Sequence, residues 1–295
     1  VNQVEELSEQ LNAELSKPAP RKPVEPLPIG LHANVPTARY YARRLGQVSK
    51  SGLDRFHRSP AHYKAWIEGK LDSETVALSF GRAFHCAILE PERFADEYAA
   101  EPDFGDCRFK AAKDKRNAWR DEHAGHNIVD SESMVAIEGM RAAVLAHPLA
   151  GKMIRDGQSE LTAVWDDPDT GLRCQCRADY YVRKLAMILD VKTTDDAGED
   201  GFRRSIYKYR YHVQDALYRF GFSAVGEHVQ HFVLVAVEKE PPYALATYAL
   251  DADGIGRGYS AARRDIDALS ECIKTNKWPG YPERIQTIEL PPWAE

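Results

Sequence analysis

The hydrophobic pattern changes period at Gly157. Before it, apolar residues recur every three or four positions; after it they alternate in short runs bounded by turn residues. Residues 161–165, 172–182 and 185–193 read as three consecutive strands, the first two joined by Asp166-Asp-Pro-Asp-Thr-Gly171, a strong turn. Residues 200–222 read as one long helix with an aromatic-rich stripe. Two further strands follow at 229–237 and 243–250, then a final helix at 252–275 and a loop tail at 278–282. Helices, three strands, helix, two strands, helix is the order of an α/β chain whose mixed central sheet is flanked by helices on both faces.

The first half supplies the helical layers. Ser51 is placed to cap a helix through Leu53, Phe56 and His57, and Ser59-Pro60 is a cap followed by proline in the first turn of the next. Residues 75–89 carry Val76, Phe80, Ala83, Phe84, Ala87 and Ile88 at helical period, and Pro91 ends that helix or starts a short one. Residues 109–123 and 131–146 are two more helical stretches. Residues 1–35 read differently. An apolar pattern at Val4, Leu7, Leu11 and Leu15 runs into five prolines between 18 and 28, the composition of a flexible arm or linker, with the domain proper expected from 36 to 295.

No run of about 18 apolar residues is present, and Val1-Asn-Gln-Val-Glu-Glu-Leu lacks a basic start followed by an apolar stretch. The expectation is a cytoplasmic protein without a membrane partner. Five cysteines, an odd number in a chain of 295 residues, read as reduced thiols. A net charge of -6 argues against a uniformly basic surface but not against nucleic acid. Enzymes acting on phosphodiesters gather acids at a metal site and place cations locally, as Arg43-Arg44, Arg203-Arg204, Lys208 and Arg210 could do.

Asp190 and Lys192 flank Val191, so in a strand both polar groups share one face. Asp179 lies on the neighbouring run, where a hairpin can bring it opposite Asp190. Such groups on an apolar face without partners are heavily penalised. Two carboxylates and an ammonium on one patch suit a divalent metal and the water it activates, with the Val191 carbonyl as a further oxygen donor. Lys192 beside the metal would orient that water or lower its pKa. Taken alone, Asp-x-Lys is a common tripeptide and equally describes a surface ion pair. Gln214 and Tyr218 are four apart and share a helix face, with Tyr207 and Tyr211 near it. That face is either a phosphate-contacting edge or an aromatic core stripe. His85, between Phe84 and Cys86, is a ligand or, as more often on such a helix, a satisfied core histidine.

Other signals are weaker. Cys174-x-Cys176 with Cys272 alone downstream does not supply the four cysteines of an iron–sulfur cluster, so none is expected. No Gly-x-x-x-x-Gly-Lys-Ser/Thr loop is present, so no ATP is expected. Gly254-Ile-Gly-Arg-Gly258 lacks the strand–turn context of a dinucleotide site. Glu160 begins a strand and could face the acidic patch, but is not counted in it.

Four motifs occur in order: Gly81-Arg-Ala-Phe-His85, Arg177-Ala-Asp179, Asp190-Val-Lys192-Thr-Thr and Gln214-Asp-Ala-Leu-Tyr218. Supporting stretches are Val48-Ser-Lys-Ser-Gly-Leu53, Ser59-Pro60, Leu89-Glu-Pro91, Tyr209-Arg-Tyr-His-Val-Gln214 and Leu290-Pro-Pro-Trp293. Together they resemble the RecB-type branch of the PD-(D/E)XK nuclease superfamily, and more closely the C-terminal nuclease domain of exodeoxyribonuclease VIII, RecE, from about residue 36 onward. The resemblance implies a restriction-endonuclease-like core. Asp179 and Asp190 would be metal ligands, Lys192 the catalytic lysine, and His85 the upstream ligand, a glutamate in phage lambda exonuclease. Gln214 and Tyr218 would match the Gln-x-x-x-Tyr motif that contacts DNA near the scissile phosphate. Asp190 stands where the superfamily motif also allows glutamate. Arg44-Leu-Gly-Gln-Val-Ser-Lys-Ser51 is similar in spacing to a lambda exonuclease segment, so that Arg44 and Ser51, with Arg177, would anchor a terminal 5′-phosphate.

The resemblance further implies a Mg2+-dependent exonuclease, with Mn2+ as substitute, that degrades linear duplex DNA 5′→3′ and leaves 3′ single-stranded tails for recombination. It implies a ring-like homotetramer and a RecT-like annealing partner in a bacterium or phage. The alternatives are a RecB-type endonuclease or single-strand nuclease, and a catalytically silent DNA-binding module of the same fold.

Overall fold

The computed structural model of the protein describes residues 25–71 and 75–289. The helical pattern at 4–15, the first part of the proline run and Leu290-Pro-Pro-Trp293 lie outside the described residues. In chain order the elements are β1 (Gly30–His32), α1 (Thr37–Tyr40), β2 (Gln47–Val48), α2 (Lys50–Arg58), α3 (Pro60–Ile67), α4 (Val76–Leu89), α5 (Pro91–Glu97) and β3 (Tyr98–Glu101). Next come α6 (Lys110–Glu122), β4 (Asn127–Asp130), α7 (Ser131–Ala146), α8 (Ala150–Met153), β5 (Gln158–Asp166), β6 (Arg173–Val182) and β7 (Met187–Thr194). The chain continues with α9 (Glu199–Lys208), α10 (Tyr211–Ala224), β8 (His231–Glu238), β9 (Leu245–Tyr248) and α11 (Ala252–Thr275).

One mixed sheet runs β1-β5-β6-β7-β8-β9, with β2 pairing parallel to β6; β3 and β4 form a separate parallel pair. The β5–β6 and β6–β7 hairpins are antiparallel, as two short connections require, whereas β7 and β8 are parallel because α9 and α10 provide the crossover. Each face of the sheet is covered. Cys174, Cys176, Ala178, Ile188, Leu234 and Ala236 pack with Leu53, Leu217, Phe222 and Leu269 of α2, α10 and α11. Leu189, Val191, Val235 and Val237 pack with Phe84, Ile88, Ile137 and Met140 of α4 and α7. The helix α10 lies close on the sheet at Gly221, where an added Cβ would sit 2.3 Å from the Trp165 ring. That close approach fixes how far Gln214 and Tyr218 stand from β7.

Three readings of the sequence change. The helix expected over 200–222 is two helices, separated at Arg210 by a left-handed backbone (φ 55°). The N-cap of α2 is Ser49, whose hydroxyl accepts from the Gly52 N–H at 3.2 Å, and Ser51 lies inside the first turn. Part of the segment expected as an arm belongs to the domain: Leu27 is buried and β1 pairs antiparallel with β5. By contrast, Ser59 caps α3 with Pro60 in its first turn, as its sequence indicates. Among the described residues, no helix is long and apolar enough to cross a membrane.

Candidate active site

The site is built where two strands part. β6 and β7 pair only at Tyr180↔Leu189, Tyr181↔Ile188 and Val182↔Met187. The next opposed positions are Asp179 and Asp190. There β6 stays with β5 and β7 stays with β8 along its whole length, so the sheet forks. A backbone donor at the fork loses its ladder partner, and buried donors must be paired. Asp179 meets this need: its carboxylate accepts from the Val191 N–H at 3.0 Å.

The side-chain alternation of β6 also breaks here. Cys174, Cys176 and Ala178 point to the α10 side, but Tyr180 and Val182 point to the α4 side. Opposite Asp179 on β5, Glu160 adopts a left-handed backbone (φ 52°), and the ladder steps from Ser159↔Tyr180 to Leu161↔Ala178. Such a conformation costs on the order of 1–3 kcal/mol in a non-glycine residue. Glu160 thereby joins the cleft beside Asp179. Its position at a strand start was the available signal, but a left-handed glutamate is not legible in sequence.

The fork lets the two helical layers meet. From the α10 side the Gln214 amide donates to Asp190, which is fully buried, and Lys192 forms an ion pair with the same carboxylate. Asp190 Oδ1 touches that ammonium without hydrogen-bond alignment and is otherwise unsatisfied. Lys192 also lies 5.0 Å over the Tyr211 ring. From the α4 side His85 reaches through: Nε2 is 2.5 Å from the Val191 carbonyl and Nδ1 is 3.5 Å from Asp179 Oδ2. Tyr218 is buried one turn beyond Gln214, edge-on to Phe232.

Burial, and then the neighbouring Asp190 charge, raise the Asp179 carboxyl well above the ordinary carboxylate range. Burial and the Asp179 charge raise Glu160 in the same direction. For Lys192 burial pulls the other way, but Asp190 and Asp179 outweigh it and hold the ammonium above its usual value. Burial and the Lys192 charge lower His85, favouring the neutral imidazole that can ligate a metal.

Glu160, Asp179, His85, Lys192, Tyr211, Gln214 and Tyr218 line a cleft of about 950 Å³, together with Arg58, Arg82, Lys208, Tyr209 and Lys239, with Asp190 fully buried behind them. Arg44 and Ser51 are not brought to it. They line a separate small recess with Gln47 and Gln175, and Arg44 donates to the Gln47 side chain at 2.6 Å. Arg177 borders the cleft, but its guanidinium is spent on the Thr162 hydroxyl (3.1 Å), Glu160 (3.1 Å) and the Val35 carbonyl (2.9 Å), stacked 4.0 Å over Tyr40. The expected grouping of Arg44, Ser51 and Arg177 round one terminal phosphate is therefore not formed. The reason is that Arg44 serves the β2 edge and Arg177 holds Glu160 in place.

Among the described residues, no group of three or more His, Cys, Asp or Glu side chains closes round a single point. The donors at the fork nevertheless fit a hard divalent cation. Asp179, the Val191 carbonyl and His85 are in mutual contact, the oxygen and imidazole donors such a cation takes, and Asp190, held by Gln214 and Lys192, is the next acid along β7. Cys174 and Cys176, by comparison, are both sealed in the core on one strand face.

A mixed sheet forking at an Asp and an Asp-x-Lys, with helices on both faces, defines a nuclease-type fold. The chain belongs to the PDDEXK-like family DUF3799, a domain of unknown function, whose family model matches residues 49–291. A crystal structure of a "putative exonuclease" from Eubacterium rectale aligns over 86% of this chain and 97% of its own, with a TM-score of 0.54 at 13% identity, a likeness of fold. A second solved structure, SSO0001, aligns over 67% of this chain and 88% of its own at 13% identity, but with a TM-score of 0.29 it carries no weight. No curated protein matches the chain.

Proposed function

We propose that the protein is a metal-dependent deoxyribonuclease of the RecE kind, degrading linear duplex DNA 5′→3′ and leaving 3′ single-stranded tails for recombination. The observation that carries the nuclease reading is the Asp179–Asp190–Lys192 fork, open to a cleft lined by cations from several elements. Asp179, Asp190, the Val191 carbonyl and His85 would hold Mg2+, or Mn2+ in its place. When bound, the metal supplies a water of lowered pKa and neutralises charge on phosphorus. Gln214 fixes the rotamer of Asp190. Lys192, kept charged by its two acids, orients the attacking water and faces the charge that grows on the phosphoryl oxygens. Tyr218 backs Gln214 on the same helix face. Arg58, Arg82, Lys208 and Lys239 lie where flanking phosphates would pass.

The polarity, the ring-like homotetramer, the RecT-like partner and the bacterial or phage cytoplasm rest on the resemblance of motifs. Duplex labelled at the 5′ or the 3′ end, digested over time beside covalently closed circles, tests the reading. Early release of the 5′ label with intact circles is expected. Cutting of closed circles would favour the RecB-type endonuclease, and no release with Mg2+ or Mn2+ would favour a silent binding module.

A further inference from the structure

The cleft wall next to Lys192 is made of aromatic rings. Lys208 ends α9 and Tyr211 starts α10, with Tyr209 and the left-handed Arg210 between them. Arg210 is buried and pinned in that strained conformation by the Leu53 carbonyl (3.1 Å), Asp54 (3.2 Å) and Asp265. In an unbroken helix residues 209 and 211 would point about 200° apart. The kink instead stacks their rings, with centroids 5.7 Å apart and planes 25° apart. The Lys192 ammonium lies 5.0 Å over Tyr211, and the Lys208 ammonium 5.1 Å over Tyr209. All four residues line the cleft. Tyr209 remains 49% exposed, and Tyr207, just before it, 82%.

We infer that the row Lys192, Tyr211, Tyr209, Lys208 is a base-stacking track: bases of an unpaired DNA strand stack on the tyrosines, and Lys208 meets the phosphates, so that the next phosphodiester reaches Lys192. The inference rests on the nuclease reading above and deepens it. Tyr211 is anchored to the core beside Phe202, whereas Tyr209 stands half in water, and the strained Arg210 serves to hold its ring against Tyr211. Stacking of this kind accepts any base, since every base has a π-face.

The test is a cycle between ring and base. A short labelled single strand and its abasic twin are bound in EDTA, followed by fluorescence anisotropy, with wild type, Tyr209→Ala and Tyr209→Phe. Tyr209→Ala is expected to weaken the base-bearing strand by roughly tenfold and the abasic strand by less than about twofold, with Tyr209→Phe near wild type. Equal losses on the two strands, or no loss on the base-bearing one, would overturn the track. A wild type that hydrolyses DNA but binds both strands equally overturns the track alone. A wild type that neither binds nor hydrolyses DNA overturns the track and the nuclease reading together.

Discussion

Two buried aspartates, Asp167 in the β5–β6 turn and Asp190 within β7, differ in what surrounds them. Asp167 is nearly sealed at the β5–β6 turn and is fully used. It accepts from the Thr170 N–H (2.9 Å), the Thr170 hydroxyl (2.6 Å) and Arg263 (2.7 Å), which ties α11 to the hairpin. Burial would raise this acid, but Arg263 and Thr170 more than offset it, so its carboxyl titrates low. Asp190 is just as buried, yet one of its oxygens lacks an aligned donor, its partner Lys192 faces a cleft, and the adjacent Asp179 is pushed up rather than down. A charge kept for structure is surrounded until it is satisfied. A charge kept for chemistry is held by groups, Gln214 and Lys192, that themselves face open space.

Substitutions at the two sites should separate these roles. The largest effect belongs to Asp190→Asn, which keeps the shape and removes the charge: DNA hydrolysis per folded molecule should fall by roughly 10³-fold or more. Lys192→Ala should slow hydrolysis by about 10²-fold in single-turnover assays and leave DNA binding in EDTA nearly intact. Asp167→Ala should do the reverse. It removes the acceptor of the Thr170 N–H and hydroxyl and the tie from Arg263 to the hairpin, and should cost about 2 kcal/mol in denaturant unfolding, while the rate per folded molecule is unchanged. His85→Ala should shift the Mg2+ midpoint of thermal stabilisation upward by about tenfold; an unmoved titration would return His85 to a packing role.

The smallest effect is on pH. Because the folded Asp167 titrates below its unfolded value, its stabilisation is present above about pH 4 and is lost as pH falls through the lower folded value. Asp167→Asn should therefore flatten the acid limb of stability against pH.

Much of this comparison can be read from the chain. Alternation placed Asp190 and Lys192 on one strand face, and the register of the β6–β7 hairpin placed Asp179 opposite Asp190, although the break in alternation at Asp179 was not legible. Helical period put Gln214 and Tyr218 on one face of α10. What stayed hidden depends on tertiary context. Arginine is a good helix former, so nothing local marks Arg210 as the break between α9 and α10; three distant contacts impose it. The short strands β1 and β2 carry too few residues to show a period and are recruited by the edges of β5 and β6. Arg44 and Arg177 look alike in sequence as candidate phosphate ligands. Only the packing reveals that one serves the β2 edge and the other braces Glu160.

The most direct measurement is release of acid-soluble nucleotides from linear duplex DNA by wild type and Asp190→Asn, with Mg2+, with Mn2+ and with EDTA. The account predicts release by wild type with either metal, none in EDTA, and almost none from the variant. Hydrolysis that persists in EDTA or in Asp190→Asn, or a wild type that releases nothing with either metal, would contradict it.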